Sequence, residues 1–251
     1  MTFKDYNKLK KVFDNYCHQF DLNSSNILLK YNHSFAVASY MEDLAKRLKL
    51  SKSDIYLAKA IGLLHDIGRF EQLKRFNSFS DQLFDHGKFA VVYLFDEGHI
   101  RDFIDDDTDD NVINKAILNH NLLEIEDGLS ERELFFSKMI RDMDKVDIFY
   151  QIANKGICNF TNKPTKKVLD DYNNKKGILK TDVKVDSDKV IQMLAFIYDI
   201  NFDESFEILR ESENFNFFIC SIRVDDKYKE LFNKIISKCL EITRMGDIYE
   251  K

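Results

Sequence analysis

An all-α fold is predicted by three observations. The 251 residues include one proline, Pro164, and eight glycines. Strong helix formers run through the whole chain. Apolar side chains recur at spacings of three and four, the period of an amphipathic helix. With 44% hydrophobic residues, a chain of this length buries roughly 70–75% of its unfolded surface. That is enough for one domain, or one domain with an appendage.

Residues 3–20 read as an opening helix, with Phe3, Tyr6, Leu9, Val12, Phe13 and Tyr16 on its apolar face and His18 as a surface or capping residue near its end. A second helix, residues 26–50, carries the stripe Leu29, Val37, Tyr40, Met41, Leu44 and Leu48, and His33 lies within it. The third helix, expected to be capped by Ser53 or Asp54, aligns Leu57, Ile61, Leu64 and His65. Asp66 follows, and Gly68 is expected to provide a left-handed exit. Residues 70–85 have mixed periodicity and are expected to form a loop with a short helix. They suit either a lid or an ordinary connection.

A fourth helix starts at Asp85 or His86 and runs to Gly98, with His86 on the face of Phe89, Ala90 and Tyr93. The acidic segment 105–110 lacks the glycine and terminal glutamate of an EF-hand loop, so it reads as a solvated loop that caps the next helix. His99, beside the Gly98 turn, reads as a surface residue. The fifth helix, residues 111–121, places Ile113, Ala116, Ile117 and His120 on one stripe. Ser130 with Glu133 makes a capping box for a long sixth helix, in which Asp144 lies four residues from both Ile140 and Ile148. Residues 157–188 read as a looser connection, followed by helices at about 188–200, 203–213 and 225–247, the last with Cys239 on its apolar face. No catalytic constellation is visible past Gly156. That part is expected to close the bundle, shape a pocket or form a homo-oligomer contact.

Charge and composition exclude several classes. A net charge of −6 offers no phosphate-neutralising excess, which argues against a general nucleic-acid or anionic-membrane binder. The cysteines Cys17, Cys158, Cys220 and Cys239 lie far apart and are expected to be reduced thiols. The N-terminus lacks an apolar signal region, and no run approaches the roughly eighteen apolar residues of a membrane span. A cytoplasmic location is therefore expected.

His33, His65, His86 and His120 are four of the six histidines, and all fall on faces expected to be buried, together with Asp66 and Asp144. A buried carboxylate is costly unless paired or metal-bound. Convergence of these helices on a metal centre accounts for the whole set. In order and spacing the set resembles the HD superfamily of metal-dependent phosphohydrolases, whose pattern is a histidine, a His-Asp doublet and a distal aspartate on a helical scaffold. The resemblance covers roughly residues 25–150, and His86 with His120 matches the form that holds two metals.

The expected organisation is an HD-domain-like helical core with the opening helix over residues 1–155, and a helical extension over residues 156–251 packed on it and not independent. The resemblance implies that His33, His65, Asp66 and Asp144 hold one divalent ion, and that Asp66 bridges to a second held by His86 and His120. Imidazole and carboxylate ligands without thiolate suit iron, manganese, cobalt, nickel or zinc and do not choose among them; iron or manganese is the first expectation. Two such ions outweigh two aspartates, so the centre is net positive and suited to phosphate.

The expected chemistry is attack on phosphorus by a metal-activated hydroxide, with the substrate a small phosphorylated metabolite and a nucleotide foremost. Arg69 is the first candidate to grip phosphoryl oxygens, and a surface arginine at a helix end is the competing reading. Lys145, beside Asp144, and Arg75, in the lid segment, follow it. Asp66, Arg69 and Lys145 form the expected catalytic set. Two departures narrow the resemblance. Asn121-Leu122-Leu123-Glu124 replaces a Gly-Tyr-Pro signature, unlike the cyclic-di-GMP phosphodiesterases, and Arg69 stands where single-metal deoxynucleotidases have glutamate. A di-iron oxygenase of the same superfamily and a non-catalytic regulatory ligand-binding protein are the alternative functions.

Overall fold

Thr2 and Asp5 cap each other reciprocally: the Thr2 backbone N–H donates to the Asp5 carboxylate at 2.8 Å and the Asp5 N–H to the Thr2 hydroxyl at 3.4 Å. They start α1 (Phe3–Cys17), which buries Tyr6, Leu9, Phe13, Tyr16 and Cys17 along one face. The computed structural model describes residues 1–82, 84–156 and 158–245. Apart from two two-residue strands, the regular structure among these residues is helical, as the sequence predicts. The chain divides into two compact units, Met1–Asp144 and Lys145–Lys251.

In the first unit, α2 (Ser25–Arg47) packs along α3 (Lys52–Leu64). The approach is close enough that a methyl on Gly62 would stand 2.9 Å from the Ala38 Cα. Ser51 caps α3, accepting from the Asp54 N–H at 3.1 Å, which places the cap ahead of the expected Ser53 or Asp54. Gly68 is not a left-handed exit. The chain turns at Asp66 (φ −105°, ψ 17°) and restarts at once as α4 (Ile67–Phe76), and the left-handed residue is Asn77 (φ 45°) after it. The short helix expected within the 70–85 segment is the end of α4, which stops at Phe76. Its period is obscured because α4 buries polar Gln72 beside Phe70 and Leu73. What Gly68 provides is room, since a methyl there would run into the His86 carbonyl oxygen.

Helix α5 (His86–Val91) continues into a π-helical turn over Val92–Asp96, and Gly98 (φ 80°) ends the run, in its expected place. After the short α6 (Ile100–Phe103), the acidic loop leads to α7 (Asp110–Asn119). The expected side-chain cap does not form, because ion pairs draw the carboxylates away: Asp109 pairs with Arg132 at 3.1 Å and Asp110 with Arg101. Ser130 and Glu133 do form their capping box, at 2.7 and 3.3 Å, at the start of α8 (Glu131–Asn154). The boundary between the units falls within α8.

In the second unit, Phe149 packs against Phe215 and Phe218 with ring centroids 5.0 and 5.4 Å apart. The stretch 157–188 is more ordered than its composition suggests. It contains β1 (Asn159–Phe160), paired in parallel with β2 (Arg223–Val224), and α9 (Lys166–Asn173), which buries Val168 and Tyr172 four residues apart. Buried Asp188 organises the approach to α10 (Asp186–Leu194) by accepting from the N–H groups of Thr165 and Lys184 at 2.8 and 3.0 Å. Helices α11 (Asp203–Glu211), α12 (Asn214–Ser221) and α13 (Lys229–Met245) follow. Residues 83, 157 and 246–247 of the expected segments lie outside the described residues. The four cysteines are free thiols, and among the described residues no helix is long and apolar enough to cross a membrane.

Because backbone rather than a flexible side chain fills the space over Gly68, Gly68→Ala should lower unfolding stability by about 1–3 kcal/mol. Urea denaturation would show this as an earlier midpoint, and an unchanged midpoint would refute the close-approach role.

Candidate metal centre

Each candidate ligand reaches the centre from a distinct position on the helices. His33 lies within α2 and Asp144 within α8, whereas His65 and His120 occupy the C-terminal caps of α3 and α7. His86 is the first residue of α5. Asp66 stands at the N-cap of α4 yet makes no side-chain capping bond, so its carboxylate is left for the interior. His33, His65 and His86 are fully buried, and Asp66 and His120 nearly so.

These side chains form two groups around the two oxygens of Asp66. One comprises His33, His65 and Asp144, and the other Asp66, His86 and His120. Oδ2 of Asp66 lies 3.5 Å from His33 Nε2 and 3.6 Å from His65 Nε2. Asp144 Oδ1 closes that side, 3.0 and 3.6 Å from the same nitrogens. Oδ1 of Asp66 lies 3.2 Å from His86 Nε2 and 3.5 Å from His120 Nε2, which are 2.9 Å apart. Donor atoms about 2.1 Å from a shared ion are about 3.0–3.4 Å apart in octahedral or tetrahedral arrangements, so the residues fit a metal in each group.

Hydrogen bonding strengthens that fit. His65 Nδ1 lies 2.8 Å from the Gly62 carbonyl oxygen and His120 Nδ1 lies 2.5 Å from that of Ile117. A carbonyl can only accept, so both Nδ1 atoms carry the proton and both Nε2 atoms present lone pairs. His86 Nδ1 faces the Asp81 carboxylate at 2.7 Å, with the same result. In the second group, three electron-pair donors therefore converge with no hydrogen of their own to share. Such a cluster calls for a cation among its members.

The charges agree. Burial favours a neutral Asp66 carboxyl, but the Lys30 ammonium beside it holds it well below the usual carboxylate range. Burial opposes ionisation of Asp144 too, and the hydrogen bond from His33, whose Nε2 lies 3.0 Å away, holds it down. Burial first and the Arg69 charge second push His86 below the ordinary imidazole value, which keeps its lone pair available at neutral pH.

The other expected site residues have varied surroundings. Arg69 is tied through Nη1 to Gln72 Oε1 (2.6 Å), the Phe79 carbonyl (3.1 Å) and Asp81 Oδ1 (2.8 Å). Its Nε is buried without a hydrogen-bond partner, 3.6 Å from Asp66 Oδ1. Arg75 bonds Glu71 at 2.7 Å and lies over the rings of Phe84 and Phe89. Lys145 is buried and its ammonium lies 2.7 Å from Asp199. His18 and His99 lie outside both candidate groups: His18 Nδ1 is 2.8 Å from the Asp14 carbonyl oxygen, and His99 stacks on Tyr93.

Sequence reasoning missed three participants. Lys30, one helical turn before His33, is buried with its ammonium 2.5 Å from Asp66 Oδ2. Its spacing from His33 was the available signal. Asp81 sits in a stretch without periodicity. Arg141, buried in α8, donates to the carbonyls of Asn119 (2.8 Å), Leu122 (2.6 Å) and Leu123 (3.1 Å), fixing the chain on both sides of His120.

The family model of the HD domain matches residues 31–155, a span that contains all six candidate ligands. The chain is a member of the HD-domain superfamily. Divalent-metal binding and metal-dependent hydrolysis are the properties that go with this domain. No curated protein and no solved structure matches the chain. The order of the HD ligands explains the placement of the paired His65-Asp66 at a helix–helix joint, where consecutive residues can serve both groups.

Removing the Arg141 guanidinium would leave three carbonyl oxygens short of their donor. Arg141→Ala should cost about 2–4 kcal/mol of stability, read from urea or thermal unfolding. A change below about 0.5 kcal/mol, the scale of an ordinary surface substitution, would remove Arg141 from this role.

Proposed function

We propose that this HD-domain protein is a metal-dependent phosphohydrolase that cleaves a phosphoester of a small phosphorylated metabolite, with nucleotides the first class to test. One observation carries the reading: a single buried carboxylate, Asp66, faces a histidine group with each oxygen and has two cations, Lys30 and Arg69, beside it. His33, His65, Asp144 and Asp66 would hold one divalent ion, and His86, His120 and Asp66 the other; the mixed nitrogen and oxygen donors suit iron, manganese, cobalt, nickel or zinc, of which iron and manganese are the first to test. When bound, such ions supply a hydroxide nucleophile at neutral pH and polarise a phosphoryl oxygen.

The chain's own side chains do the rest. The Nδ1 hydrogen bonds of His65, His86 and His120 hold three imidazoles in one tautomer and orientation, which lowers the cost of assembling the centre. Lys30 and Arg69 supply positive charge for an incoming phosphoryl group. The partnerless Nε of Arg69 is a donor left over for a substrate oxygen, and an ammonium is a compact partner for another. Phe79 lies 5.9 Å from both cationic groups, so the loop after α4 shields them from water and strengthens their pull on a phosphate. Arg75 and Lys145, paired with Glu71 and Asp199, remain further candidates for phosphate contact.

The test is phosphate release from a panel of nucleotides and other phosphoesters, with added iron or manganese and with chelator. Metal-dependent release is expected. Lys30→Ala should lower kcat/KM by on the order of 10²-fold, and Lys30→Arg should retain most of the activity. Oxygen-dependent turnover without phosphate release would replace this reading with an oxygenase, and saturable ligand binding without turnover would replace it with a regulatory role.

A further inference from the structure

Three of the four candidate ligand histidines have their Nδ1 partner in view, and His86 differs from the other two. His65 and His120 end helices, so each finds the carbonyl of the residue three positions earlier, Gly62 and Ile117. His86 begins a helix and has no preceding turn to supply one. The Asp81 carboxylate takes that place at 2.7 Å, and the same oxygen accepts from Arg69 Nη1 at 2.8 Å. The segment carrying Asp81 is itself secured. Arg69 also donates to the Phe79 carbonyl at 3.1 Å, and the buried Gln72 donates to those of Ser80 and Phe84 at 3.1 and 2.8 Å.

We propose that Asp81, held by Arg69 and Gln72 of α4, is a positioning residue for the ion of the His86–His120 group, fixing His86 with Nδ1 protonated and Nε2 turned to the metal. The inference rests on the two-ion reading above. It adds that loading of one of the two positions depends on a loop carboxylate that is not itself a ligand. Carboxylate–histidine–metal relays typically contribute 10–100-fold in metal affinity. The negative charge of a carboxylate strengthens both bonds, whereas an amide oxygen has lone pairs for the same two donors but makes only the weaker neutral bonds to them.

The experiment titrates the full-length chain with Mn2+ alone, counting free and bound ion by electron paramagnetic resonance. In parallel, 15N shifts of the histidine rings are recorded in metal-free protein. The parent chain should bind two ions and show the spin-coupled signal of a pair. Asp81→Asn should keep the first ion at parental affinity, bind the second about 10–100-fold more weakly, lose the coupled signal and lose the Nδ1–H preference of His86. Asp81→Glu should recover part of each.

Two unchanged affinities in Asp81→Asn, or equal weakening of both ions in a variant whose thermal unfolding matches the parent, would overturn the proposal. An Asp81→Asn chain too unstable to titrate, with Asp81→Glu equally so, would also overturn it, because the role would then be structural. A parent chain that takes up a single Mn2+ would refute the two-ion reading itself, an outcome distinct from failure of the Asp81 variants alone.

Discussion

The structure of the first unit depends on keeping one carboxylate ionised where water does not reach. Asp66 is 2% exposed. Desolvating such a group costs several kcal/mol unless nearby positive charge or donors compensate. The chain meets this cost by placing the Lys30 ammonium of α2 and the Arg69 guanidinium of α4 beside Asp66. Local backbone makes it feasible. Asp66 falls at the joint between α3 and α4, where an aspartate ordinarily caps the following helix, yet here the side chain is withheld from the cap. The close contact of Gly68 with the His86 carbonyl then sets α5 against this joint.

The clustering of the candidate ligands was legible in the sequence because helical periodicity converts spacing into direction. His33, His120 and Asp144 each lie within an apolar stripe, and a polar residue in such a stripe must face the interior. The cations were less legible. Lys30 reads as a solvated lysine because lysine seldom lies buried without a partner, and its partner is 36 residues away. Arg141 sits among charged neighbours in a helix whose apolar pattern is weak, and its role appears only when the carbonyls after α7 are in place. Periodicity carries no information about contacts made by irregular backbone.

The same limit explains the errors in the fold. Helix α4 was legible only as a short helix without clear bounds, because Gln72 and Arg69 interrupt its apolar pattern to bond the backbone of Phe79, Ser80 and Phe84. Helix α9 buries few side chains and follows Pro164, so little in its composition marks it. Helix α12 has the aromatic-rich composition of a strand, Asn214-Phe215-Asn216-Phe217-Phe218. Packing of Phe215 and Phe218 on Phe149 decides the outcome in favour of helix.

The way each histidine is oriented follows from where along a helix it stands. A histidine at a helix C-terminus inherits its second hydrogen bond from the backbone of its own last turn, as His65 and His120 do. Its geometry is secure as long as the helix is. A histidine at a helix N-terminus has no such turn and must borrow its acceptor from elsewhere. For His86 the acceptor is Asp81. The loop after α4 is therefore joined to the centre at two levels, through the carboxylate behind His86 and through the Phe79 ring beside Lys30 and Arg69. A segment that reads in sequence as a lid or an ordinary connection is in the structure a continuation of the site, and its tie to α4 makes Arg69 part of both.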